Sequence, residues 1–300
     1  GAAEDVEGAK RETWERLINE GKLGYMALMR NLRNIIEARV SPEAFQIVLD
    51  RIGDADEVAR SKQLPFRFHS AYRMISQVHD ERSPSVLETL ERAIQASAAN
   101  IPGFGQDQTV VCAADVSASM MHSISPRSII EYYDIGLVLS MILQSRCQSV
   151  ISGFFGDTWK IVQLPRTQIL ANTEALRERE GEVGYSTNGY RVIQGLRNDN
   201  IVADKVMIFT DCELWDNMSQ GGWHDEDSGD INHEWWLYRK EVSPNAKLYL
   251  FDLSGYGTTP LDLKGNGVHL ISGWSDKVFS TLASLEAGGE VLDVVKSIKI

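Results

Sequence analysis

The stretch Val110-Val111-Cys112-Ala113-Ala114-Asp115-Val116-Ser117-Ala118-Ser119 limits the possible folds more than any other part of the chain. An unbroken run of Val and Ala climbing to an acid reads as a strand covered on both faces, as in the middle of a parallel sheet. Open sheets of that kind bind ligands beyond the carboxyl ends of their strands. Asp115, Ser117 and Ser119 fall where this strand should end, so three oxygen-bearing side chains gather there. A second run, Lys205 to Phe209, ends in Thr210-Asp211, and Ser186-Thr187-Asn188 precedes a helix-like segment. Oxygen-only ligation suits a hard cation such as Mg2+. By itself, Asp-x-Ser-x-Ser is served equally well by ordinary turn and helix-cap residues.

The rest of the chain supplies the frame. The first hundred residues read as stacked helices. Tyr25, Leu28, Met29, Leu32, Ile35 and Ile36 keep the three-four spacing of one apolar helical face, with Arg30 and Arg33 between them and pointing elsewhere. Ser41-Pro42, Leu64-Pro65 and Ser83-Pro84 each start a further helix, and Ser85 with Glu88 is expected to form a capping box. Asn100 to Gly105 breaks the pattern and marks a boundary. Beyond it strands are expected near 109–116, 149–156, 159–164, 204–211, 246–253 and 267–272. Helices are expected near 127–146, 168–179, 188–198, 231–242, 275–286 and 289–298. Such alternation means a mostly parallel sheet covered on both faces. The tight connection Phe155-Gly156-Asp157-Thr158 makes strands two and three a hairpin.

Composition narrows the function. The net charge is −12, which speaks against indiscriminate binding of polyanions. The first hundred residues hold 14 basic and 16 acidic side chains, the remainder 16 and 26. An RNA contact would therefore favour the first part. Three scattered cysteines without a Cys-x-x-Cys fit reduced thiols and a cytoplasmic setting. No run approaches the roughly 20 apolar residues of a membrane span. The chain opens on Gly1 rather than Met, which points to a processed or partial sequence.

Asp115-Val116-Ser117-Ala118-Ser119, then Thr187, then Thr210-Asp211, resembles the metal-ion-dependent adhesion site of von Willebrand factor A domains. The resemblance implies Ser117, Ser119 and Thr187 as direct ligands, with Asp115 and Asp211 acting mostly through water. The implied cofactor is a divalent cation, Mg2+ first, with Mn2+ and Ca2+ as alternatives. Tyr25-Met26-Ala27-Leu28-Met29-Arg30-Asn31-Leu32-Arg33-Asn34-Ile35, ahead of that motif, resembles the Ro autoantigen family, which joins a TROVE domain of helical repeats to a C-terminal A domain. Leu64-Pro65-Phe66-Arg67-Phe68 resembles the family's next segment, and Leu253-Ser254 to Thr259 its penultimate loop.

The implied organisation is the C-terminal part of a HEAT-like TROVE domain over residues 1–100, a linker over 101–106, and an A domain over 107–300. That domain would carry a Rossmann-like, mostly parallel sheet with one antiparallel edge strand. Ro proteins are longer at the N-terminus, so a bacterial or truncated relative is implied. The implied function is non-catalytic binding of small non-coding RNA, Y-like or misfolded, in RNA quality control, with an exoribonuclease as associated partner. Arg30 and Arg33 are the RNA candidates, because a guanidinium grips phosphate with two donors. The rival reading is a metal-dependent protein-interaction module that grips an acidic residue of a partner without RNA.

Other residues weigh less. Asn188 stands where Ro relatives often carry Asp, and Tyr185-Ser186 replaces a common glycine pair, so a cation here would lean on Asp115 and Asp211. Gly221 to Asp230 reads as an acidic surface loop, since its glycine spacing and the missing closing glutamate exclude a calcium loop. His122 reads as an exposed loop histidine. His233-Glu234 lacks the second histidine of a zinc protease, and no phosphate-binding glycine loop occurs. Only one of the neighbours Trp235 and Trp236 can face a core, and Trp274 is expected in one.

Overall fold

The computed structural model describes residues 2–99, 101, 104, 107–126, 128–212, 229–255, 267–273, 282 and 284. The chain divides into two compact units, residues 1–100 with 169–171, and residues 101–168 with 172–300.

The first unit is helical: α1 (Ala2–Asn19), α2 (Tyr25–Arg30), α3 (Leu32–Glu37), α4 (Pro42–Gly53), α5 (Ala55–Ser61), α6 (Pro65–Ser76) and α7 (Ser83–Ala98). The apolar face expected over 25–36 is present, with all six of its residues buried, but it is carried by two short helices rather than one. Asn31 makes the break. Its amide donates to Ala27 O (2.8 Å), and its carbonyl oxygen accepts from Asn34 (2.9 Å), so the side chain takes over local hydrogen bonding. Ser41 caps α4 by accepting from Ala44 N, and Asp54 caps α5 by accepting from Glu57 N.

The capping box expected at Ser85 and Glu88 does not form. The helix has already begun at Ser83, whose hydroxyl donates to Val78 O (2.8 Å). Leu28, Ile35, Val48, Phe68, Ile75 and Leu90 form the core of this unit, all shielded from solvent. Two polar ties reach across it. The Tyr25 hydroxyl donates to Ile52 O (2.7 Å), and Arg51 grips Glu57 with two donors while also reaching Leu23 O.

The second unit carries β1 (Thr109–Asp115), α8 (Tyr132–Arg146), β2 (Ser149–Phe155), β3 (Trp159–Val162), all but the first two residues of α9 (Leu170–Arg177), α10 (Tyr190–Asn198), β4 (Lys205–Thr210), α11 (Ile231–Glu241), β5 (Lys247–Asp252) and β6 (Val268–Ser272). The sheet order is β3-β2-β1-β4-β5-β6. All neighbours run parallel except β2 and β3, which form the expected antiparallel hairpin. From β1 the chain moves to one side for β2 and β3, then crosses back to place β4 on the other side. The carboxyl ends of β1 and β4 therefore border the crevice where such sheets bind ligands.

Val111 and Ala113 of β1 pack with Val206, Ile208, Leu248, Val192, Leu196, Trp235 and Tyr238, so α10 and α11 close one face. Helix α8 packs against β1, β2 and β4 and is buried along almost its whole length. That is why β1 reads as continuously apolar. Helix α8 starts at Tyr132 rather than near 127. Glu131 and Asp134 build a capping box there, and the exposed Ser123 pairs back to Glu131 to make the preceding residues a loop. Arg177 joins Asp134 and Glu131 and lies 4.7 Å over the Tyr133 ring.

Ile101, inside the expected linker, is buried, and its carbonyl accepts from Arg146 (3.0 Å). Trp235 is buried and Trp236 exposed, as neighbours on a helix require. The helices expected at 275–286 and 289–298 lie outside the described residues save for 282 and 284. Trp274 and most of the acidic loop 221–230 lie outside them as well. Among the described residues no helix is long and apolar enough to cross a membrane.

Candidate metal centre

Asp115 closes β1 and is fully buried. Its carboxylate accepts from Ser117 N at Oδ1 (2.9 Å) and from the Thr210 hydroxyl at Oδ2 (2.6 Å). Val116 N donates to Phe155 O (3.0 Å), which carries the chain one residue past the strand before it turns. A single 3-10 turn over Ala118–Met121 then brings Ser119 Oγ to 3.2 Å from Ser117 Oγ. Asp-x-Ser-x-Ser spacing thus sets two hydroxyls side by side above a buried acid.

Thr210 closes β4, so the register of β1 against β4 delivers its hydroxyl to Asp115. Asp211 follows and is buried. Cys212 then takes a left-handed conformation (φ 59°) that is uncommon for a residue with a side chain, and its N–H donates to Thr210 Oγ1 (3.2 Å).

Thr187 arrives on the 184–188 loop. Ala118 N donates to Tyr185 O (2.9 Å), Ser186 N to Asp157 Oδ1 (2.8 Å) and Asn188 N to Gly156 O (3.1 Å). The loop is thus pinned between the turn after β1 and the β2–β3 turn. Thr187 is buried, and its hydroxyl has no hydrogen-bond partner among the described residues. A buried hydroxyl without a partner is destabilising by about 1–3 kcal/mol unless something fills its lone pairs.

The electrostatics point the same way. Burial pushes the Asp115 carboxyl up to about 7, an effect added to by neighbouring Asp211 and opposed by the hydrogen bonds from Ser117 and Thr210. Among the described residues no lysine or arginine forms an ion pair with it. No group of three or more His, Cys, Asp or Glu side chains among the described residues is arranged to hold a metal. A cation here would depend on hydroxyl oxygens and water, a donor set that matches Mg2+. The unpartnered Thr187 hydroxyl, the paired Ser117 and Ser119 hydroxyls and an uncompensated buried acid all fit such an ion.

Thr210, Asp157 and Ser254 hydrogen-bond to site residues or to the loop that carries them, and the sequence assigned none of them a role there. Asp157 had a legible signal, since it sits in the tight turn between two strands. Thr210 had only its place before Asp211. His122 is exposed and uses its carbonyl to accept from Tyr132 N.

The RNA candidates lie in the helical unit, and both are exposed. Arg33 is paired with Glu37 (2.7 Å) one helical turn on. Arg30 has no hydrogen bond or ion pair among the described residues. It borders a cleft of about 90 Å³ lined also by Met26, Met29, Arg67, Ser70 and Met74. Arg67 likewise makes no ion pair there and lies 4.9 Å over the Phe66 ring.

The chain thus joins a helical unit to a unit built on a mostly parallel sheet, with Asp115, Ser117, Ser119 and Thr210 gathered at the carboxyl ends of β1 and β4. Residues 3–121 match the model of the TROVE domain. That match places a TROVE-like segment in the first part of the chain. Telomerase protein component 1 of Mus musculus is 37% identical over 83 residues, and that of Rattus norvegicus 36% over 83 residues. Each match covers 26% of this chain and 3% of the relative. The Ro (RSR) protein of Deinococcus radiodurans shares the fold, with a TM-score of 0.60 and 18% identity over 89% of this chain and 54% of that one.

Proposed function

We propose that this protein binds RNA without catalysis, in the manner of Ro-type proteins, and carries a divalent-cation site on its sheet unit. Small non-coding RNA, Y-like or misfolded, is the ligand class, and an exoribonuclease is the proposed companion. The observation that carries the RNA reading is the pair Arg30 and Arg67. In a chain of net charge −12, two guanidiniums that form no ion pair among the described residues flank one methionine-lined cleft inside the TROVE-matched segment. Guanidiniums hold phosphate oxygens with paired donors, and a soft apolar floor accepts a base face. Arg33 is the weaker member, since Glu37 already neutralises it.

On the sheet unit, Ser117, Ser119 and Thr187 would hold the cation directly and Asp115 and Asp211 through water. When bound, the ion supplies an electrophilic position for an anionic oxygen. Ser117 N fixes one Asp115 oxygen and Thr210 the other, so the carboxylate cannot turn away from the hydroxyls. The buried Thr187 hydroxyl favours a second reading, in which this position grips a carboxylate of a protein partner.

Gel shift with single-stranded and structured RNA across a salt series tests the first reading. Arg30→Ala and Arg67→Ala should each weaken binding roughly 3- to 10-fold and flatten the salt dependence by about one unit of slope. Parental affinity in both variants would refute the cleft as the contact. No RNA binding by the parent, with Mg2+-dependent capture of an acidic peptide, would favour the second reading.

A further inference from the structure

We propose that Asp252, at the end of the strand beyond β4, and Ser254, in the turn that follows it, are positioning residues that set Asp211 at the cation site. The proposal rests on the cation reading above and deepens it. Asp252 ends β5 and is fully buried, in register with Thr210 of β4 on one side and Ser272 of β6 on the other. Its Oδ1 accepts from Ser254 N (3.1 Å), Ser254 Oγ (2.7 Å) and Gly255 N (3.0 Å), which folds the chain into a tight turn immediately after the strand. Gly255 takes φ 76°, where a glycine is favoured. Ser272 Oγ reaches the other oxygen, Oδ2 (3.3 Å). The turn is therefore held rigidly, with the acid at its centre.

That turn reaches the cation site through one atom. Ser254 Oγ lies 2.9 Å from Asp211 O as well as 2.7 Å from Asp252 Oδ1. A hydroxyl carries one proton, and here it stands between two acceptors, so it ties the Asp211 backbone to the Asp252 turn. Leu253 N donates to Thr210 O (2.9 Å), and Cys212 N donates to Thr210 Oγ1. The backbone around Asp211 is thus fixed on both sides, and Ser254 supplies the side-chain restraint on its own carbonyl. Residues that orient ligands from outside the coordination sphere typically change metal affinity 10- to 100-fold when removed.

The test measures Mg2+ affinity by calorimetry and unfolding in EDTA on the full chain. Ser254→Ala should weaken Mg2+ binding roughly tenfold, and Ser254→Thr, which keeps the hydroxyl, should restore it. Ser243→Ala is the control. Its hydroxyl is buried and donates to Ala203 O (2.8 Å), the same kind of bond at the opposite ends of β4 and β5. A purely structural role for Ser254 would make the two alanine variants alike, with stability lowered and Mg2+ affinity kept. Parental affinity in Ser254→Ala, or equal weakening in Ser243→Ala, would overturn the proposal. A parent chain that takes up no Mg2+, Mn2+ or Ca2+ would overturn the cation reading and this proposal together. That outcome is distinct from a parent that binds alongside a Ser254→Ala that binds equally well.

Discussion

Replacing Asp115 with Asn should stabilise the cation-free protein while abolishing its response to Mg2+. In the fold the Asp115 carboxyl titrates near 7, against 3.8 when solvated, because it is fully buried. The folded state therefore holds the proton more tightly than the unfolded chain. Stability falls as pH rises from about 4 to 7 and stays low above that window. A rise from 3.8 to about 7, at about 1.36 kcal/mol per tenfold in proton affinity, amounts to about 4 kcal/mol at pH 8. Asn removes that term. It keeps the oxygen facing Ser117 N but presents an NH2 to Thr210 Oγ1, which must turn its proton elsewhere, a loss of about 1–2 kcal/mol.

The variant should thus gain about 2–3 kcal/mol in EDTA at pH 8, a rise of about 4–12 °C in the melting of a unit of this size. At pH 4.5 the parent acid is largely protonated, and the gap should close or reverse. Millimolar Mg2+ should raise the parent's transition and leave the variant's unchanged. Thermal unfolding at both pH values, with and without Mg2+, reads all of this. A variant less stable than the parent at pH 8 in EDTA would refute the reasoning, as would equal Mg2+ stabilisation of both proteins.

Two further substitutions probe the same pocket. Thr187→Val exchanges an unpartnered buried hydroxyl for a methyl of the same shape, so urea unfolding in EDTA should show a gain of about 1 kcal/mol while calorimetric Mg2+ affinity drops at least about tenfold. Loss of stability in EDTA would mean the hydroxyl has a partner after all. Gly184→Ala places a methyl against the Asp157 carboxylate at a residue with φ 75°, which should destabilise the sheet unit by about 2–3 kcal/mol and weaken Mg2+ through the displaced Thr187 loop. Parental melting in that variant would show that the loop tolerates the shift.

The strands and most of the helices were legible because their periodicity is strong. Val110 to Ala114 reads as apolar on both faces for the reason later seen, a helix lying on each side of β1. What the sequence concealed depends on local competition or on pairings across long stretches. Asn31 belongs to an amphipathic pattern that continues smoothly through it, and only its side-chain hydrogen bonds show that the helix stops there. Ser85 and Glu88 have the spacing of a capping box, yet Ser83 had already started the helix upstream. Glu131 and Asp134 carry the real box without a serine or threonine to advertise it. At the candidate site, Asp115, Ser117 and Ser119 are one short motif. The hydroxyl that fixes Asp115 comes from Thr210, and Ser254 enters only because β5 lies beside β4. Neither partnership leaves a trace in local spacing.

Because β4 crosses back beside β1, the bond from Thr210 to Asp115 joins residues 95 positions apart. Closing so long a stretch of chain is slow and entropically opposed until the intervening strands and helices are in place. A chain in which β1 and β4 have not yet paired cannot present this pocket. Occupancy of the pocket would therefore report that this central pairing is in place, and any partner that docks there would meet only chains that had made it.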